Sequence, residues 1–173
     1  MNTIKERSFL PFILFMAVLL LFGIQEAESQ EKEKGLVLRI DVKKEMKVQR
    51  GNDRETITVP VETTNPGDIL VYTISYTNTR ESVVQNASVV DPIPEGAELI
   101  LDSASGEGTT ITYSINNGRT FHSPPVKQVI RRTDGTREEK TATPDMYTHI
   151  KWNFNIPLSP GQTGLLKFKA TVK

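Results

Sequence analysis

The stretch Asn65-Pro-Gly-Asp-Ile-Leu-Val-Tyr-Thr-Ile-Ser-Tyr-Thr-Asn-Thr79 decides the fold class. It opens on a turn, because proline presets φ and glycine supplies positive φ without steric cost. After the turn, Leu70, Tyr72, Ile74 and Tyr76 alternate with Val71, Thr73, Ser75 and Thr77. Side chains of a strand point to opposite faces in turn, so this segment is a strand with one apolar, core-directed face.

The same period of two extends in both directions. Leu36, Leu38, Ile40 and Val42 alternate with Val37, Arg39, Asp41 and Lys43, and the alternation continues through Met46 and Val48. Ile111, Tyr113 and Ile115 repeat it, as do Ile150, Trp152 and Phe154, and finally Leu166, Phe168, Ala170 and Val172. By this parity every one of those apolar residues faces inward. Turn chemistry separates the runs at Asp91-Pro-Ile-Pro-Glu-Gly96 and Pro157-Leu-Ser-Pro-Gly161. Asn117-Gly118 and Asp134-Gly135 are hairpin signals of the type I′ kind, which needs positive φ twice. No segment after Gly35 carries an apolar stripe of helical period. Many short strands with one inward face each imply two packed antiparallel sheets, an all-β sandwich rather than an open barrel.

A chain of 173 residues suggests one domain. Its 21 Lys and Arg balance 21 Asp and Glu. Removing residues 1–29 takes Lys5 and Arg7 along with Glu6, Glu26 and Glu28, leaving the rest within about one charge of neutral. Such a domain has no field to steer nucleic acid, and none is expected as a partner. There is no cysteine, which removes disulfides, thiolate metal sites and a cysteine nucleophile.

Lys5 and Arg7 precede the apolar run Phe9–Ile24, after which Ala27 and Ser29 offer small side chains before Gln30. This is a secretory signal pattern, with cleavage expected after Ser29. The run is shorter than the ~20 apolar residues that span a bilayer as a helix, so no stable membrane span is expected after cleavage. An uncleaved anchor is the alternative. The domain plan is therefore a signal peptide at 1–29, a charged leader at 30–35 and the sandwich at 36–173. The protein is expected to be exported, to the periplasm, the cell surface or the extracellular space.

Four motifs in order carry a family resemblance: the Pro66-Gly-Asp68 turn feeding a strand that ends in Asn78-Thr79, then Val89-Val-Asp-Pro-Ile-Pro-Glu-Gly96, Ile150-Lys-Trp152, and Leu158-Ser-Pro-Gly-Gln-Thr-Gly164. Together they resemble the domain catalogued as domain of unknown function eleven, an immunoglobulin-like repeat of bacterial cell-surface and secreted proteins. The resemblance spans Leu36 to Lys173. Arg80 stands where that family usually has glycine, and one copy is present where tandem copies are usual. The resemblance implies an immunoglobulin-like antiparallel β-sandwich and an exported location, and no reaction.

A search for chemistry returns little. His122 and His149 are isolated, with no acidic residue at the i+3 or i+4 position of either. No Gly-x-Ser-x-Gly elbow and no phosphate-binding Gly-x-x-x-x-Gly-Lys occurs. No catalytic residue, cofactor or metal ligand is therefore assigned, and the protein is expected not to be an enzyme. Asp68, Asp91, Glu95 and Asp102 lie at strand ends or turns, where calcium sites of sandwich domains form, although Asp68 and Asp91 also suit bonding within their own turns. Lys44, on the inward parity, raises a Lys–Asn cross-link to Asn78, or else a packed stem with a wet ammonium. The inward parity of Tyr72, Tyr76, Tyr113, Trp152, Phe154 and Phe168 favours core packing over a glycan-stacking platform. Around Asp134-Gly135, residues 126–143 form a charged two-stranded arm in which Arg131, Arg132 and Arg137 are the expected contact residues. The leading functional expectation is a structural or protein-interaction module whose partner is another envelope or surface protein. A ligand-binding sandwich for glycan or calcium is the alternative.

Overall fold

The computed structural model describes residues 35–173, so the expected signal peptide and most of the charged leader lie outside the described residues. The strands are β1 (Leu36–Arg50), β2 (Asp53–Pro60), β3 (Ile69–Asn78), β4 (Ser88–Pro92), β5 (Ala97–Leu99), β6 (Ser105–Gly106), β7 (Thr109–Ser114), β8 (Lys127–Arg131), β9 (Arg137–Thr141), β10 (His149–Phe154) and β11 (Thr163–Val172). One sheet runs β2-β1-β3-β11-β5, with β6 also on β11, and a second runs β4-β10-β7. All pairings are antiparallel. Both sheets contribute to one core, which makes the chain an antiparallel β-sandwich.

Alternation sets the core. Along β3 the burial alternates at every residue, with Leu70, Tyr72, Ile74, Tyr76 and Asn78 inside. Trp152 and Ile150 descend from β10 to meet Phe168 and Leu166 of β11, all four without exposure. The Trp152 and Phe168 rings lie 6.2 Å apart across the layers, and Phe168 stacks on Tyr72 of the neighbouring strand at 4.5 Å. Close packing demands glycine at two places. Gly164 sits opposite Tyr76, whose ring would collide with any Cβ there. A Cβ on Gly106 would lie 2.6 Å from Leu166 Cδ2 and 3.0 Å from Trp152 Cδ1.

Three expectations need correction. Leu38 and Ile40 have the inward parity, being opposite Tyr76 and Ile74, yet they are 45% and 52% exposed. The second layer has three strands against five in the first path, so it leaves this flank of β1 bare. Lys44 and Asn78 cannot cross-link. Lys44 pairs with Leu70 and Leu36 with Asn78, which sets them at opposite ends of the ladder, roughly 26 Å of strand apart. Finally, Asp134-Gly135 is not a type I′ turn, since only Gly135 has positive φ there. Gly135 N–H bonds Arg132 O and Arg132 N–H bonds Thr136 O, so the loop is a tight turn closed by a left-handed glycine. Asn117-Gly118 does have positive φ at both residues, as the hairpin signal requires.

Candidate functional site

Strands β8 and β9 pair only with each other, forming a two-stranded arm outside both layers. Its root is fixed by apolar burial: Val126 and Ala142 sit in the core, joined by the Ala142 N–H to Val126 O bond. Beyond that root the register pairs Lys127 with Thr141, Val129 with Glu139 and Arg131 with Arg137 on one face. Gln128, Ile130, Glu138 and Lys140 share the other face, where Gln128, Ile130 and Glu138 are part-buried. The exposed face presents Val129, 61% accessible, between an ion pair and two arginines.

Charges on the arm are unevenly matched. Lys127 pairs with Glu139 at 3.3 Å, and Arg132 grips one Glu138 oxygen through Nε at 2.9 Å and Nη2 at 2.6 Å. Of the three expected contact residues, Arg132 is therefore committed within the arm. Arg131 and Arg137 stand directly opposite each other at the tip. Like charges at facing positions destabilise a strand pair by roughly 0.2–1 kcal/mol, so this juxtaposition opposes the hairpin's own stability. Sequence reasoning found the arginines and missed their register, which depends on the turn geometry.

A recess of about 350 Å³ lies at the arm's root, with Thr141, Pro125, Tyr113, Tyr147 and Asp102 on its walls. Tyr113 and Tyr147 meet edge to face at 5.5 Å. Burial pushes the Tyr113 phenol up, with Asp102 adding to the shift, so Tyr113 is a neutral hydrogen-bonding group throughout the ordinary pH range. Tyr147 and Pro125 were not singled out from sequence, because nothing local marks them as neighbours.

The remaining candidates are scattered. Asp68 accepts the Asn65 N–H at 2.8 Å and the Lys44 ammonium at 3.2 Å, and the Asn65 bond first, then Lys44, hold its carboxyl below the ordinary value. Lys44 also donates to Thr63 O, a structural role that ties the β2–β3 loop across β1. Among the described residues, no three His, Cys, Asp or Glu side chains gather where a metal ion would sit, Asp68, Asp91, Glu95 and Asp102 included. The six aromatics proposed for the core are all buried, which removes the glycan-stacking platform. His122 is exposed beside Thr120, and His149 contacts Thr148.

Asp91 has the core-facing parity of Val89 on β4, across from Ile150. Burial raises its carboxyl above 3.8, and the nearby His149 opposes that shift in part. A raised native value means the folded state holds this proton more tightly than the unfolded chain. Stability then falls as pH rises from about 4 through the native titration. Asp91→Asn is expected to abolish this component and to make the protein more stable than wild type at neutral pH, measured as urea midpoints at pH 4 and pH 7. A variant whose pH dependence matches wild type would refute the assignment.

Comparison with protein-family models, with curated proteins and with solved structures returns no match to this chain.

Proposed function

We propose that this protein is an exported, non-enzymatic structural or protein-interaction module of the cell envelope or surface, of the immunoglobulin-like kind. The arm carries this reading: a charged hairpin held off both sheets, with an exposed valine and two arginines unmatched by acids of the arm itself. The sequence resemblance to surface repeat domains and the signal pattern before Gln30 support the location. The partner in this reading is another envelope or surface protein, which the arm contacts together with the recess at its root. Arg side chains suit such a contact because the guanidinium forks onto carboxylates and stacks on aromatic rings.

Replacing Ile130–Thr141 with a short Gly-Ser linker tests it. The arm lies outside the core beyond Val126 and Ala142, so the deletion is expected to lower stability by only about 1–2 kcal/mol. Capture of the native partner from envelope fractions is expected to be lost. A deletion that unfolds the domain, or one that captures the same partner undiminished, would overturn the arm as the recognition element.

A further inference from the structure

Among the described residues, the Leu36–Val42 half of β1 has a strand partner on one edge only. Strand β2 covers only Lys43–Arg50, while β3 takes the opposite side over Leu36–Lys44. Thr79 N–H bonds Gly35 O, which fixes the phase of the ladder. In an antiparallel pair the residues that exchange bonds alternate, so Gly35, Val37, Arg39 and Asp41 turn their backbone groups to β3. Leu36, Leu38, Ile40 and Val42 turn theirs to the open side. The side chains there are apolar as well: Val37 is 52% exposed on the outer face, and Leu38 and Ile40 are exposed on the inner face. A long apolar edge with free donors and acceptors is a template for another strand, and proteins that keep one unguarded use it or aggregate through it.

We propose that this edge pairs antiparallel with the same edge of a second copy of the chain. This inference is independent of the arm. The register follows from which residues have free groups. Bonded pairs must join even-numbered residues, and the partner strand must stop before β2 begins at the level of Lys43. The arrangement that uses the whole open edge sets Leu38 against Ile40 of the other copy and Leu36 against Val42, with the two-fold axis at Arg39. On the inner face the exposed Leu38 and Ile40 of both copies then cover one another. On the outer face each Arg39 meets its symmetry mate, a cost offset by the other copy's Asp41 on the diagonal. Other registers either run into β2 or leave some of these groups unpaired. Such a seam is short, so its dissociation constant falls at roughly micromolar or weaker.

The test is sedimentation of the purified protein over a concentration series, with amide hydrogen exchange on the same samples. A reversible monomer–dimer equilibrium is expected. The amides of Leu36, Leu38, Ile40 and Val42 gain protection as concentration rises, while those of Val37, Arg39 and Asp41 stay protected throughout. Leu38→Pro removes an N–H that faces the open edge and no bond to β3, and it is expected to weaken association roughly tenfold or more with the melting midpoint nearly kept. Ile40→Lys places a charge on the shared apolar face and does the same if the proline variant fails to fold. A strictly monomeric wild type, a dimer without protection of those four amides, or wild-type association in a folded variant would each overturn the proposal.

Discussion

Trp152→Ala is expected to cost about 3–5 kcal/mol of unfolding free energy, the largest effect of any single truncation in this core. The side chain has no exposure and lies where both layers meet. It packs on Phe168, and Gly106 is glycine partly because the indole occupies the space a Cβ would need. Its Nε1–H donates to Ser105 O at 3.1 Å, so the truncation also strips a partner from a backbone carbonyl on β6. Neighbouring strands are held by ladders on both sides of β10, which limits how far the cavity can collapse. Urea denaturation measures the loss, with the exposed, outward-facing Lys167→Ala as the control, expected within about 0.5 kcal/mol. Lys151 is a poorer control than its outward parity suggests, since its ammonium stands 5.6 Å from the Phe121 ring. Equal losses at Trp152 and Lys167 would mean that β10 does not carry the core.

Asn78→Ala is expected to cost about 1–3 kcal/mol, although it removes only a small polar group. Asn78 ends β3 with no exposure, and its Nδ2 donates to the carbonyls of Ser82, Leu158 and Ser159 at 3.0–3.1 Å. Its Oδ1 accepts the Arg80 N–H at 3.0 Å. One amide thus satisfies backbone groups of two separate loops and pins both to the end of β3. Alanine removes all four bonds at once. Leu158 O and Ser159 O keep the N–H groups of Val84 and Gln162, so the cost is the lost tie between the loops and the buried end of β3 rather than orphaned carbonyls. Asn78→Asp provides the discriminating measurement. At neutral pH it sets a carboxylate oxygen against those carbonyls in place of a donor, so it should destabilise at least as much as alanine. An aspartate variant as stable as wild type would show that the amide is not what holds the loops.

The two residues show different degrees of legibility. Trp152 was readable as a central core residue from alternation alone, because Ile150 and Phe154 flank it at the strand period. Asn78 was readable only as the end of a motif, and the cross-link suggested for it named the wrong partner. The carbonyls it serves come from residues 82 and 158–159, and no local pattern announces contacts of that range. The arm shows the same division. Its charge and its turn were visible in the sequence, whereas the facing of Arg131 and Arg137 followed from a loop that closes differently from the type I′ turn expected.

By itself the sequence determined the runs of β1, β3, β7, β10 and β11 and the paired strands of the arm, while β2, β5 and β6 lie outside the runs read from it. It also determined the face each residue of those runs takes, down to the residue-by-residue alternation along Ile69–Asn78. Facing is a local property: successive side chains of an extended backbone must point to opposite sides, whatever surrounds them. Only the tertiary structure decided what lies against each face. Leu38 and Ile40 point the way their parity requires and remain exposed, because the second layer stops short of β1. Ser114 has the outward parity and is fully buried, because the turn after β7 folds back and its Asn116 and Gly118 N–H groups bond the Ser114 hydroxyl. Burial depends on contacts between distant segments, and those are set by how many strands each sheet recruits and where each loop crosses.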